Sequence, residues 1–383
     1  MKTYLTGCRL VLPDTIIDNS SLLIEDGVIT AIAPEIVQDA REIRMEGKTV
    51  MPGMIDLHCD ALEKEVEPRP NVHFPLDFSC AQADKRNAAA GITTVFHAIS
   101  FAGQELGVRN NEMAATLVES MHSWRPLGLV DNRLHCRYEI TDHGALPLLC
   151  TLLEEQKSHM VSLMDHTPGQ GQFKDMASYR AYLTKTYKKT EAELDRIMAE
   201  KLAAAEGAYQ RIQTLAACAH RNQVALASHD DDSRQRVETM RSAGADIAEF
   251  PVNLEAAGAA KEAGMATIFG APNLMRGKSQ SGSIRAIDAI EAGVADCLCA
   301  DYSPATLIMA IFRLPDHSDL NLADAVRLVT ANPARAARLS DRGEIREGKR
   351  ADLIAVDLPG GLPQICQVWS KGREVYRAVY DHG

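Results

Sequence analysis

The sequence predicts an α/β chain: a (β/α)8 barrel of the TIM type carrying a small β-sandwich domain built from both termini. Three observations point there. Strand-like runs alternate with helical patterns through the middle of the chain, several of those runs end in His, Asp or Glu, and both ends of the chain read as short strands joined by turn signals. The expected division is a composite β domain from residues 1–51 and 340–383 and a barrel from 52–339, with a helical insertion near 170–220.

In chain order, residues 5–11, 20–25 and 28–32 read as strands, with Asp26-Gly27 as the turn between the last two. The C-terminal counterparts are 352–356 and 367–370, with Lys371-Gly372 turning the chain towards Val375. The barrel strands are expected to end at Asp60, Ala98, Glu139, His166, His229, Phe250, Gly270 and Asp301. Helical patterns such as 146–156 and 254–263 separate most of them. The connection from His166 to Val224 is longer than one helix needs. Its helix-like stretches, 176–183 and 191–208, suit either a lid over the barrel mouth or an outer helical hairpin.

Composition narrows the class. The chain has 383 residues, enough to bury a large core, and its 46% hydrophobic and 24% charged content is ordinary for a soluble globular protein. No apolar run approaches the roughly 20 residues that span a bilayer, so no membrane partner is expected. Met1-Lys2-Thr3-Tyr4-Leu5 leads directly into strand-like sequence, and a cytoplasmic protein is expected. Nine cysteines without a repeated CxxC spacing suit reduced, mostly buried thiols. A net charge of −11 argues against nucleic acid as a partner, but a local basic pocket for a small anionic substrate remains compatible with it.

In a parallel barrel, side chains at the C-terminal strand ends converge on one mouth. Six polar residues hold such positions here: His58, Asp60, Glu139, His166, His229 and Asp301. In Met54-Ile55-Asp56-Leu57-His58-Cys59-Asp60, strand alternation would aim His58 and Asp60 to one side, with Cys59 directed away. Imidazoles and carboxylates together suit one or two divalent ions, zinc first and manganese as the more oxygen-tolerant choice. A carboxylate at Glu139 could bridge two ions. Singly, each residue has a plainer reading: a turn at His166, a helix cap after His229, salt-bridged strand ends at Glu139 and Asp301. Their shared placement favours a common metal site.

These residues, with Arg342-Gly343-Glu344-Ile345-Arg346-Glu347-Gly348-Lys349-Arg350-Ala351-Asp352-Leu353, resemble the amidohydrolase superfamily. The resemblance implies a metal-dependent barrel hydrolase with a β-sandwich built from both termini. The commoner pattern of that superfamily has HxH and often a carboxylated Lys, where this chain has His58-Cys59-Asp60 and Glu139. Pro68-Arg69-Pro70, Asp165-His166-Thr167-Pro168-Gly169, Ser228-His229-Asp230-Asp231, Gly270-Ala271-Pro272-Asn273-Leu274-Met275-Arg276-Gly277 and Asp301-Tyr302-Ser303-Pro304 extend the likeness. Together they resemble the diphosphatases of phosphonate catabolism within that superfamily. What this implies is hydrolysis of α-D-ribose 1-methylphosphonate 5-triphosphate to the 5-phosphate and pyrophosphate.

A triphosphate needs cations beyond the metal. Arg69, Arg276 and Lys278 lie in Pro/Gly-rich segments after barrel strands, Ser279 and Ser281 add hydroxyls, and Arg137 shares a strand face with Glu139 and His135. Asp301 is the expected general base and also a metal neighbour. Glu63 and Lys64 are weaker candidates. A C–N hydrolase, a deaminase or cyclic amidase, is the alternative within the same fold, and a non-catalytic scaffold is a third reading. A homo-oligomer is compatible with all three.

Overall fold

Two eight-stranded sheets organise the chain, one closing on itself and the other lying beside it. The computed structural model describes residues 2–34, 37–103, 109–167, 180, 184, 191–279 and 282–380. The terminal sheet contains Lys2–Val11 (β1), Ile16–Glu25 (β2), Val28–Ile32 (β3), Arg41–Arg44 (β4) and Thr49–Pro52 (β5). The barrel follows: Met54–Cys59 (β6), Ile92–Phe101 (β7), Asp131–Glu139 (β8), Met160–Met164 (β9), Ala225–His229 (β10), Ile247–Glu249 (β11), Ala266–Gly270 (β12) and Cys297–Cys299 (β13). Leu353–Asp357 (β14), Gln364–Ser370 (β15) and Arg373–Arg377 (β16) return to the terminal sheet.

Barrel strands pair in sequence order, every pair parallel. Consecutive parallel strands need crossovers, and helices such as Leu76–Ala89, Asn111–Trp124 and Leu254–Glu262 supply them. Because helices cover the outside, the strands are buried on both faces: every residue of β6 and of β7 is buried. Ile55, Leu57, Phe96, Met160, Ile247 and Ile268, from strands around the ring, fill the interior as one apolar cluster.

Closure between β6 and β13 is made by few bonds. Asp60 N–H donates to Asp301 O at 2.8 Å, and Asp301 N–H donates to His58 O at 2.9 Å. The pairing of β6 with β7 is irregular between Asp56 and Cys59. There the Asp56 carboxylate stands in for a ladder acceptor, its Oδ1 taking the N–H groups of His58 at 3.2 Å and Ala300 at 3.0 Å. Burial of this carboxyl pushes its pKa up to about 7.

The terminal sheet runs β16-β15-β14-β5-β1-β2-β3, with β4 added to β1, and is mostly antiparallel. β5 pairs with β1 from the N-terminal segment and with β14 from the C-terminal one, so it joins the two ends of the chain. The sequence reading anticipated neither β4 nor β5. Arg41-Glu42-Ile43-Arg44 lacks an apolar face, and β5 is separated from β6 only by Gly53. That glycine allows a close approach: a Cβ there would lie 2.2 Å from Thr93 Oγ1.

In the insertion, helix Glu191–Ala204 ends before Gly207 (φ 73°), and a second helix, Ala208–Arg221, leads towards β10. The single helix expected over 191–208 is therefore interrupted by a left-handed glycine. The helix expected over 176–183 lies outside the described residues apart from Arg180. No helix among the described residues is long and apolar enough to cross a membrane.

At the N-terminal end of the barrel a largely buried ion network ties barrel strands to the segment that leads into β14. Asp131 Oδ2 accepts from Arg342 Nη1 at 2.6 Å and Arg133 Nε at 3.1 Å, while Arg342 also donates to Thr94 Oγ1 at 3.0 Å. Burial would raise the Asp131 pKa, but Arg133 and Arg342 outweigh it and hold the carboxyl well below the usual range. Removing one partner from a buried pair leaves the other charge uncompensated, at a cost of about 3 kcal/mol. Asp131→Asn is expected to lower the Tm at neutral pH. Because the folded pKa is depressed, that contribution is present above the unfolded value of about 3.8 and is lost as pH falls below it. Thermal unfolding across pH checks this: the gap to wild type should narrow in acid, and a constant gap would reject the network's role.

Candidate metal centre

The opposite end of the barrel gathers a continuous set of buried charges. His58 is the penultimate residue of β6, and Asp60 follows the strand as the N-cap of helix Ala61–Val66 (φ −82°, ψ 4°), so a turn joins the pair. His58 Nε2 lies 3.4 Å from Asp60 Oδ1, and His58 Nδ1 lies 3.1 Å from Glu249 Oε1 at the end of β11. His135 approaches Glu249 from β8, with its Nε2 3.7 Å from Oε2, while its Nδ1 contacts Leu57 O at 3.1 Å.

Arg137, two residues further along β8, sits between the two halves of the cluster. Its Nη1 donates to Asp60 Oδ1 at 3.4 Å, and its Nη2 is 3.4 Å from His229 Nε2. His229 in turn has Nδ1 3.2 Å from Asp230 Oδ2. Glu139 and His166 pair through Oε2 and Nδ1 at 2.9 Å, with Thr141 Oγ1 donating to Glu139 Oε1 at 2.7 Å. Arg109 braces the other side of Asp60, donating to its Oδ2 at 3.3 Å and to Glu63 Oε2 at 2.8 Å. Phe250 packs edge-on against both His58 and His229, at ring distances of 4.9 and 5.2 Å.

Burial and neighbouring charges together set the protonation states. It opposes charge on His58, yet the Glu249 carboxylate prevails and its pKa rises to about 10. For Glu249 burial acts upward, but His135 and His58 bring it down to about 2. Glu139 reaches about 2 against burial through its bond to His166. His135 is pushed down to about 3, chiefly by burial. Asp301 rises to about 6, first through burial and then through the neighbouring Asp60 charge.

Ligand atoms of His58, His229 and Glu249 all lie within 4.8 Å of one another, so these residues can hold a metal ion. The donor chemistry fits: two imidazoles and a carboxylate, with Glu249 Oε2 buried and making no hydrogen bond. Asp60, Asp230 and Asp301 add further negative charge nearby, which a divalent cation would offset.

The structure therefore gathers His58, Asp60, Arg137, His229 and Asp301, the last joined to the others through barrel closure. It pairs Glu139 with His166. Arg69, Arg276 and Lys278 are exposed, on the segments that follow β6 and β12, and none forms an ion pair with another described residue. Ser281 lies outside the described residues. Glu249 was missed, although the strand ending there was recognised: the strand-end rule that selected Glu139 applies to it equally. His135 and Arg109 carried weaker signals, since His135 lies inside a strand and Arg109 lies in a connecting segment.

Protonated His58 cannot coordinate a metal, so cation binding must displace its proton. Zinc affinity is expected to rise by about tenfold per pH unit between about pH 6 and 8, with one proton released. Calorimetry in buffers of different ionisation enthalpy measures that proton, and pH-independent binding would remove His58 from the ligand set. Glu249→Gln should cost at least about tenfold in zinc affinity, whereas wild-type affinity would exclude Glu249.

Comparison with known proteins places the chain in a family. The model of the amidohydrolase family matches residues 173–380. The alpha-D-ribose 1-methylphosphonate 5-triphosphate diphosphatase of Escherichia coli (strain K12) is 37% identical, over 97% of this chain and 100% of its own length. An imidazolonepropionase of Treponema denticola is also 37% identical, but over only 24% of this chain and 26% of its own. Among solved structures, an N-acetyl-D-glucosamine-6-phosphate deacetylase from Mycobacterium smegmatis superposes with a TM-score of 0.66 at 18% identity, covering 98% of this chain and all of the other.

Proposed function

The chain belongs to the amidohydrolase family, and from that premise we propose that it is a metal-dependent diphosphatase. Its substrate is α-D-ribose 1-methylphosphonate 5-triphosphate, and its products are the corresponding 5-phosphate and pyrophosphate. The observation that carries this reading is the end-to-end match to the Escherichia coli enzyme, which leaves no large part of either chain unaligned. The local match to an imidazolonepropionase spans a quarter of the chain and supports common descent rather than common chemistry.

His58, His229 and Glu249 are the proposed inner ligands, with Asp60, Glu139, His166 and Asp301 as further candidates should a second ion bind. Zinc suits the donors best, and manganese second. Bound there, a divalent cation would acidify a water and neutralise phosphoryl oxygens. The rest falls to the chain's own residues. Asp301, near Asp60 at the barrel seam, takes the proton from a water attacking the α-phosphorus, and at neutral pH a carboxyl with a pKa near 6 is ready to accept it.

Arg137 and Arg109 hold Asp60 and present guanidinium groups beside the reacting phosphate. Arg69, Arg276 and Lys278 would meet the outer phosphates, where exposed side chains can follow a flexible triphosphate. Phe250 keeps the two imidazoles in orientation through edge contacts.

A pyrophosphate-release panel tests the assignment. The ribose methylphosphonate triphosphate should turn over at a higher kcat/KM than ATP, and hydrolysis of cyclic amides without pyrophosphate release would overturn it. Asp301→Asn is expected to lower kcat by about 10²–10⁴-fold with an unchanged Tm; near-normal kcat would remove its role. Arg276→Ala should raise KM for the triphosphate, and an unchanged KM would put that side chain outside the site.

A further inference from the structure

Away from the barrel mouth, two cysteines meet between helices. Cys150 lies on helix Ala145–Glu154, which follows β8, and Cys218 on helix Ala208–Arg221, which leads into β10. Their sulfurs are 2.7 Å apart, and Arg221 Nη2 contacts Cys218 Sγ at 3.1 Å. Cys150 is half-buried, while all the other cysteines are buried. Thus the pair combines a half-buried cysteine with a partner already at its side, an arrangement no other cysteine in the chain offers.

We propose that Cys150 and Cys218 form a reversible disulfide that clamps these two helices together. The oxidant is a low-molecular-weight disulfide such as oxidised glutathione. The Cys150 thiolate attacks one glutathione sulfur, forming a mixed disulfide and expelling the first glutathione thiolate. The Cys218 thiolate then attacks Cys150 Sγ, forming the protein S–S bond and expelling the second. Two protein thiols lose two electrons and two protons, and one oxidised glutathione becomes two reduced molecules. A sulfur–sulfur bond of about 2.05 Å needs only a small side-chain movement from the contact already present.

The clamp has a structural consequence. Arg211 lies about two turns before Cys218, so both occupy one face of their helix. Arg211 Nε donates to Ile140 O at 2.8 Å, its Nη1 donates to Glu206 O at 3.0 Å, and its Nη2 donates to Ala204 O. This side chain therefore joins the base of the insertion to the residue after Glu139. A disulfide on the same face adds a covalent link between the two helices and closes a loop, from Cys150 to Cys218, that contains most of the insertion.

Burial and the neighbouring Cys218 push the Cys150 thiol up to about 12, so exchange is slow at neutral pH and faster in mild alkali. The test treats reduced, metal-loaded protein with oxidised glutathione at about pH 8.5 and maps thiols by mass spectrometry. A Cys150–Cys218 cross-linked peptide, removed by dithiothreitol, is expected. Cys218→Ser should instead retain glutathione on Cys150, and Cys150→Ser should leave Cys218 free. The oxidised wild type should melt several degrees above its reduced form, while Cys150→Ser shows no such shift and both variants keep wild-type pyrophosphate release. Glutathione retained on Cys150 in the wild type, cross-links at other cysteines, or two thiols left free would each overturn the proposal.

Discussion

The seam between β6 and the residues after β13 is the constraint on which the rest depends. Two main-chain bonds, Asp60 N–H to Asp301 O and Asp301 N–H to His58 O, hold the first and last strands together where both end. The Asp56 carboxylate completes the join by accepting from His58 and Ala300 where the ladder is irregular. Without closure, His58 and Asp301 would sit on opposite edges of an open sheet. With it, the first and last strands deliver an imidazole and a carboxylate to the same place, and the other strands bring His135, Arg137, His229 and Glu249 around them.

The barrel uses its two ends for different work. At one end, the Asp131 carboxylate is fully answered by Arg133 and Arg342, and the effect is to fasten the barrel to the segment that leads into β14. At the mouth, charge is unbalanced: several buried carboxylates face few fixed cations, and a buried oxygen of Glu249 lacks a hydrogen bond. An excess of buried negative charge is costly unless something positive answers it. In the free protein a proton on His58 does so in part, which explains why its pKa rises despite burial. A divalent cation would answer it more fully, and under the proposed function a phosphorylated substrate would then meet both that cation and the arginines on Asp60.

Much of this was legible in the sequence, for identifiable reasons. The eight barrel strands could be read because burial on both faces demands short apolar runs, and their polar ends stand out against them. His58 and His229 were visible by the same contrast. The grouping of His58 with Asp60 was anticipated through strand alternation, but Asp60 lies in the turn that starts a helix. β4 was hidden because a charged edge strand has no apolar signature, and β5 because Gly53 scarcely separates it from β6. Glu249 was hidden by weighting: β11 is only three residues long, and the aromatic Phe250 drew the strand end one position further. Long cationic side chains were the least legible, since spacing says which loop an Arg occupies but not how far it reaches. Arg109, which contacts Asp60, went unnoticed, whereas Arg69 and Arg276 are exposed.

Anomalous diffraction from crystals of the zinc-loaded protein, collected at the zinc edge, locates the cation directly. An anomalous peak is expected within bonding distance of His58, His229 and Glu249 at the mouth of the barrel, beside the Asp60–Asp301 seam. A peak elsewhere, or zinc bound without either imidazole, would contradict it.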